Sequence, residues 1–472
     1  MIKNNNDMLS NIVRDDFTND FRWGCATSAY QIEGAVIVDG RGATIWDKFC
    51  ERPGVIRDGS SGVVACDHYN RWEQDLDLAS NLGINSYRFS IAWSRIFPDG
   101  RGTIPNSKGL DFYSRLVDGL LSRGIEPWPT LYHWDLPQAL QEQGGWKNRD
   151  TVSAFADFAH AVSHRLGDRV KHWITHNEPW CTAFLGHYEG IHAPGEKSLS
   201  AALQVCHHVL LSHGMAIPAI KSNVADAKVG IALSLHPLIS ASDKLQDVNA
   251  TIRHDGLRNH WFLDPLYGRG YPEEIWQIFG ENVPIVKEGD LSIIATATDF
   301  LGVNYYFPET VENAPGIGPV SARVIECNNL ERTDFGWQVS PEGMITLLDR
   351  VVKDYHPPEI YITENGSTYN DVVSEDGRVA DIKRRNYLVR HIAALKKAKA
   401  GGVPVNGYFA WSLLDNFEWA EGYSRRFGLI HVDYLTQQRR LKLSGEWYQT
   451  FLRNSEFVST LIPNNRAQEA VM

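Results

Sequence analysis

Thr175-His176-Asn177-Glu178-Pro179 closes an apolar, β-branched run that starts at Val170. Ile362-Thr363-Glu364-Asn365-Gly366 closes a second run that starts at Glu359. Runs of this kind read as strands buried on both faces. In each, a glutamate stands where the strand gives way to a loop. Pro179 pushes the preceding Glu178 toward an extended backbone, and Asn365-Gly366 is a turn dipeptide. The two glutamates are 186 residues apart. A fold that gathers strand ends around one mouth is needed to bring them together, and a parallel α/β barrel does this.

The rest of the chain repeats the pattern. Short apolar strands are expected at 23–28, 86–91, 128–133, 173–177, 229–235, 300–306, 360–364 and 407–413. Helical patterns fall between most of them, at 70–82, 110–123, 152–166, 200–221, 341–354 and 383–400. Eight strands separated by helices predict an α/β fold, a single (β/α)8 TIM barrel. The strands lie further apart than a minimal βα unit requires. The excess falls in Gly-, Pro- and polar-rich stretches at 39–68, 236–289 and 307–337, expected to be long βα loops around a deep catalytic mouth. The expected layout is a polar segment at 1–16, the barrel at 17–453 and a polar tail at 454–472.

Of 472 residues, 43% are apolar and 22% charged, enough to build a large core. A net charge of −11 disfavours nucleic acid and anionic membranes as partners, since both require a basic face. Six scattered cysteines without a Cys-x-x-Cys pair read as free thiols in a reducing compartment. The first 16 residues are polar and Asn-rich, and no run of about 18 apolar residues occurs, so a cytoplasmic protein is expected. Nothing in the sequence sets an oligomeric state.

Two carboxyl groups facing each other across a pocket are the apparatus for breaking a glycosidic bond. Four further clusters lie at strand ends: Phe21 to Gly34, containing Gln31; Tyr132-His133-Trp134-Asp135; Gly302-Val303-Asn304-Tyr305-Tyr306; and Trp411 to Trp419, containing Glu418. Amides, imidazoles and carboxylates bind hydroxyls, and indoles offer flat apolar faces to a sugar ring. Cys206-His207-His208 with His213 has no carboxylate nearby in sequence, so a packed helix is expected there rather than a metal site. Arg425-Arg426 reads as a solvated edge, and no phosphate-binding glycine loop is present.

The segment Phe21 to Gly34, the Asn177-Glu178-Pro179 motif and the Thr363-Glu364-Asn365-Gly366 motif together resemble glycoside hydrolase family 1, the β-glucosidases, over roughly residues 17–451. The resemblance implies a retaining barrel without a cofactor, with Glu364 as nucleophile and Glu178 as general acid/base. It implies that Arg88, Tyr306 and Asn304 support the nucleophile, with the Arg88 guanidinium keeping Glu364 ionised. Gln31, His133, Asn177, Trp411, Glu418 and Trp419 would hold the non-reducing sugar, with Trp411 as its floor, and Trp337 would form an aglycone-side platform. His176 is expected to point away from the substrate. The implied substrates are β-glucosides such as cellobiose or aryl β-glucosides, with galactosides and fucosides also open. Two alternatives stand beside this: a 6-phospho-β-glucosidase, which Trp419 and Glu418 argue against, and a non-catalytic sugar-binding protein, against which the intact carboxyl pair speaks.

Overall fold

The structure is a computed structural model that describes residues 12–327 and 330–453. All eight expected strands are present: β1 (Arg22–Ala26), β2 (Ser86–Ser90), β3 (Glu126–Tyr132), β4 (His172–Asn177), β5 (Lys228–Ser234), β6 (Phe300–Asn304), β7 (Ile360–Asn365) and β8 (Val405–Trp411). Every neighbouring pair is parallel and follows chain order. The barrel closes where β8 bonds to β1, from Arg22 opposite Gly407 to Ala26 opposite Trp411. The expected helices form the surrounding layer as His68–Leu82, Ser107–Ser122, Asp150–Leu166, Leu199–Lys221, Pro341–Tyr355 and Ile382–Ala400.

Residues inside the barrel divide by height. Below the mouth, Trp128 is fully buried at the centre, with ring centroids 5.6 Å from Phe300, 4.7 Å from Tyr361 and 5.2 Å from Phe409. Space for this plug comes from small residues on the neighbouring strands. A Cβ at Gly230 would lie 2.5 Å from the Phe300 ring. Burying each phenylalanine contributes about 2 kcal/mol. Above the plug, at the carboxyl ends of the strands, the side chains turn polar, as this barrel geometry places them.

The long loops carry structure of their own. A three-stranded sheet (Leu238–Ser240, Glu309–Asn313, Ala322–Ile325) joins the loops after β5 and β6. Helix Leu245–Asp255 runs directly into a π-helical turn, Gly256–His260, and a second π-helical turn, Cys181–Leu185, follows β4. A further helix, Leu443–Arg453, falls outside the expected set. It seals the barrel bottom, with Phe451 5.0 Å from the Trp23 ring and the Tyr448 hydroxyl donating to the Gly24 carbonyl at 3.1 Å. Of the expected polar segments, residues 1–11 and 454–472 lie outside the described residues. Among the described residues no helix is long and apolar enough to cross a membrane.

Candidate active site

A cavity of about 310 Å³ opens at the carboxyl ends of the strands, lined by Glu178, Glu364, Tyr306, His133, Trp337, Trp411, Glu418 and Trp419 among others. Both glutamates are buried, Glu178 beyond the end of β4 and Glu364 within the last turn of β7.

The two carboxyls have unlike partners. Glu364 accepts from the Arg88 guanidinium at 2.6 Å on Oε1 and from the Tyr306 hydroxyl at 2.7 Å on Oε2. Glu178 accepts from the Asn304 amide at 2.9 Å on Oε1 and from the Cys181 thiol at 3.0 Å on Oε2. A cation and a phenol on one carboxyl favour its charged form strongly, whereas an amide and a thiol do so weakly. Asn304 therefore supports Glu178, a correction to the expectation that it braces Glu364. β6 pairs with β5, to which the Glu178 amide is bonded at Ala232, and the Asn304 carbonyl oxygen is held by the Thr363 hydroxyl at 2.6 Å.

Asn177 links the two carboxyls. Its oxygen accepts from Arg88 at 2.7 Å and from Asn304 at 2.9 Å, and its amide donates to His133 Nε2 at 3.1 Å. One chain of contacts thus runs from Glu364 through Arg88, Asn177 and Asn304 to Glu178. His133 accepts there as a neutral ring, because burial, and then the Arg88 charge, hold its pKa well below the usual imidazole value.

Burial opposes Arg88 at Glu364. Desolvation pushes this carboxyl up to about 7, with Arg88 and Tyr306 offsetting part of the rise and the Glu178 charge adding to it. Glu418 is pushed up further, to about 8, by burial and by the charges of Glu364, Glu178 and Glu421. Burial and neighbouring carboxylates thus hold two carboxyls of the pocket, Glu364 and Glu418, toward their acid forms.

Glu178 also departs from the extended backbone expected before Pro179. Its φ is +46°, and Trp134 (+77°) and Trp419 (+51°), which line the same cavity, are left-handed too. The Glu178 amide is tied to the Ala232 carbonyl of β5 at 2.8 Å while the chain turns at once into a helix, which leaves no room for an extended residue. Three left-handed non-glycine residues around one cavity mark strain held at a functional site.

On one wall of the cavity the His133 ring lies nearly parallel to Trp411 (centroids 5.8 Å, 18°) and to Trp419 (6.0 Å, 17°). Gln31 stands behind this wall, its amide donating to Asn416 at 2.9 Å, to the Phe417 carbonyl at 3.0 Å and to Glu418 at 3.3 Å. Arg88, Asn177 and Asn304 likewise form a supporting layer. Trp337 is stacked between Phe335 (4.4 Å) and Phe307 (4.9 Å) on the outer side. Neither phenylalanine, nor Cys181, Trp134 or Arg258, was given a role from sequence. Of these, Trp134 carried a signal as part of the strand-end cluster at 132–135, and Cys181 by lying one helical turn beyond Glu178.

The remaining sequence expectations divide. His176 points out of the pocket to Ser212 at 2.8 Å. His207 does have a carboxylate, Asp290 at 2.9 Å, brought from a distant loop, while His208 bonds the Trp146 carbonyl and His213 the Thr175 hydroxyl. Arg426 is not a solvated edge: it binds Asp415 at 2.7 Å, and Arg425 binds Glu421 at 3.0 Å.

A closed parallel barrel with two buried, differently hydrogen-bonded carboxyls beneath aromatic walls is the architecture of a glycoside hydrolase. The comparisons agree and narrow the class. Residues 13–457 match glycosyl hydrolase family 1, and the chain belongs to that family. It is 46% identical to beta-glucosidase A of Thermotoga maritima over 93% of this chain and 98% of that one. It is 45% identical to a 1,4-beta-D-glucan glucohydrolase of Thermotoga neapolitana, over 93% of this chain and 98% of the relative. The solved family 1 β-glucosidase of T. maritima superposes with a TM-score of 0.91 at 46% identity, covering 94% of this chain and 99% of its own.

Proposed function

We propose that this chain is a retaining β-glucosidase that releases terminal β-D-glucosyl residues by double displacement. The observation that carries the reading is the contrast between the two carboxyls within one hydrogen-bonded chain. Glu364, held by Arg88 and Tyr306, is assigned as nucleophile. Its oxygen bonds to the anomeric carbon while Glu178 transfers its proton to the departing oxygen. Glu178, now a carboxylate steadied by Asn304 and Cys181, then takes a proton from water as that water displaces Glu364. Weak, neutral donors suit a group that must alternate between both forms.

His133, Glu418 and Trp419 are assigned to the hydroxyls of the glucosyl unit, with Asn177 and Gln31 holding His133 and Glu418 in place, Trp411 to its floor and Trp337 to the leaving group. Burial and the neighbouring carboxylates push Glu418 up to about 8, which favours an acid form that can both donate and accept. The relatives' names support β-glucosides as the substrate class, and cellobiose and aryl β-glucosides are proposed as individual substrates. A reducing, cytoplasmic setting is in keeping with six cysteines that form no disulfide.

The test is nitrophenol release from p-nitrophenyl β-D-glucoside, with the galactoside, fucoside and 6-phosphoglucoside alongside and Glu364→Ala as control. Release from the glucoside, lost in the control, is expected. Activity confined to the phosphorylated substrate, or more than a few per cent surviving in Glu364→Ala, would overturn the assignment.

A further inference from the structure

Arg258 sits on the π-helical turn Gly256–His260 and is 4% exposed, yet it lines the same cavity as Glu178. Its position is fixed from three sides. The guanidinium carbon lies over Trp180, 3.9 Å from the ring centroid. Nη2 donates to Ser234 Oγ at 3.1 Å and to His236 Nε2 at 2.5 Å, and Nε reaches Glu309 Oε1 at 3.4 Å. Nη1 is buried and has no hydrogen-bond partner. An unmatched charged donor in such a site is costly unless something else pairs with it.

We propose that Arg258 is a specificity-determining residue that pairs with a hydroxyl of a sugar leaving group, so that this enzyme is built for β-glucosyl saccharides more than for aryl glucosides. The inference rests on the glucosidase reading above and deepens it. Three observations support it. The first is place: Trp180 is two residues beyond Glu178, so Arg258 stands on the side where the protonated group departs. The second is charge: Glu309 also lines the cavity and balances the guanidinium, so the site suits a neutral polyol better than an anion. The third is the opposing surface. Trp337 with Phe307 and Phe335 offers an apolar face, while Arg258, Ser234 and Glu309 offer a polar edge, which together match the two-sided chemistry of a pyranose. An aryl group would use the first surface and leave the second unpaired.

The experiment compares kcat/KM for cellobiose and for cyclohexyl β-D-glucoside, both followed by glucose release. The leaving groups are both alcohols, and the second lacks hydroxyls. The wild type is set against Arg258→Met, which keeps a stem over Trp180, and Arg258→Lys, which keeps the charge but loses the planar fork, with circular dichroism confirming that each is folded. The cellobiose-to-cyclohexyl ratio is expected to fall about 10- to 100-fold in Arg258→Met and about 10-fold in Arg258→Lys. A ratio within threefold of wild type in either folded variant would overturn the proposal. If the wild type releases nothing from p-nitrophenyl β-D-glucoside or from either alcohol glucoside, the underlying glucosidase reading fails instead.

Discussion

Replacing Arg88 by Met probes the electrostatics of the pocket most directly. Arg88 is 1% exposed and donates to Glu364, to the Thr363 carbonyl, to Asn177 and to Thr130. Breaking a buried ion pair from one side costs about 3–5 kcal/mol, because the surviving charge is left uncompensated. Burial already pushes Glu364 up to about 7, and Arg88 is the largest influence pulling it down. Without the guanidinium its pKa rises further, so the ionised fraction available for attack shrinks at every pH below the new value. About 3 kcal/mol corresponds to roughly a hundredfold in kcat/KM near pH 6, where Glu364 must give up its proton. At alkaline pH that part of the loss is recovered. Disturbance of Asn177 adds a loss that does not depend on pH. The assay is kcat/KM for p-nitrophenyl β-D-glucoside from pH 5 to 9, with Arg88→Lys alongside. The acid limb is expected to move to higher pH in Arg88→Met, and less in Arg88→Lys. Parallel profiles, displaced downward without moving sideways, would refute the electrostatic argument.

Three further outcomes follow from the same contacts. Glu178→Ala should slow glucosides with poor leaving groups by 10²-fold or more and activated ones far less, and added azide should restore turnover as β-glucosyl azide; an α-azide product would contradict its role. A Cβ at Gly366 would lie 1.9 Å from the Trp411 carbonyl oxygen, so Gly366→Ala should lose about 2–3 kcal/mol in urea unfolding along with activity, and a change under 0.5 kcal/mol would refute that packing. Asp135 is buried with neither carboxyl oxygen bonded, and desolvation pushes it up to about 7. A raised carboxyl stabilises the fold below its unfolded value, and that contribution is lost as pH rises through 7. The wild-type Tm should therefore fall between pH 5 and 8 more steeply than that of Asp135→Asn, and equal slopes would exclude Asp135 as the cause.

The barrel was legible because each strand is buried on both faces and so reads as an unbroken apolar run, as Trp173-Ile174-Thr175 does. The carboxyl pair was legible because each acid ends such a run. What each acid touches was not. Asn304 and Tyr306 are two residues apart, yet one reaches back to Glu178 and the other forward to Glu364, a division set by the neighbouring strands. The left-handed backbone at Glu178 was hidden because a tertiary bond to Ala232 overrides the local preference before proline. Arg258 and Asp290 lie in long loops with no periodicity, and their partners come from segments distant in sequence.

Both loops that flank the leaving-group side enter the cavity through a π-helical turn, one bearing Cys181 and the other Arg258. Such a turn holds one residue more than the α-helix around it. Losing that residue would restore a regular α-helix and re-aim the side chains of the turn itself, while leaving the eight strands in register. Descendants of this chain thus have a route to new aglycones through one-codon deletions, which a comparison restricted to aligned substitutions would miss.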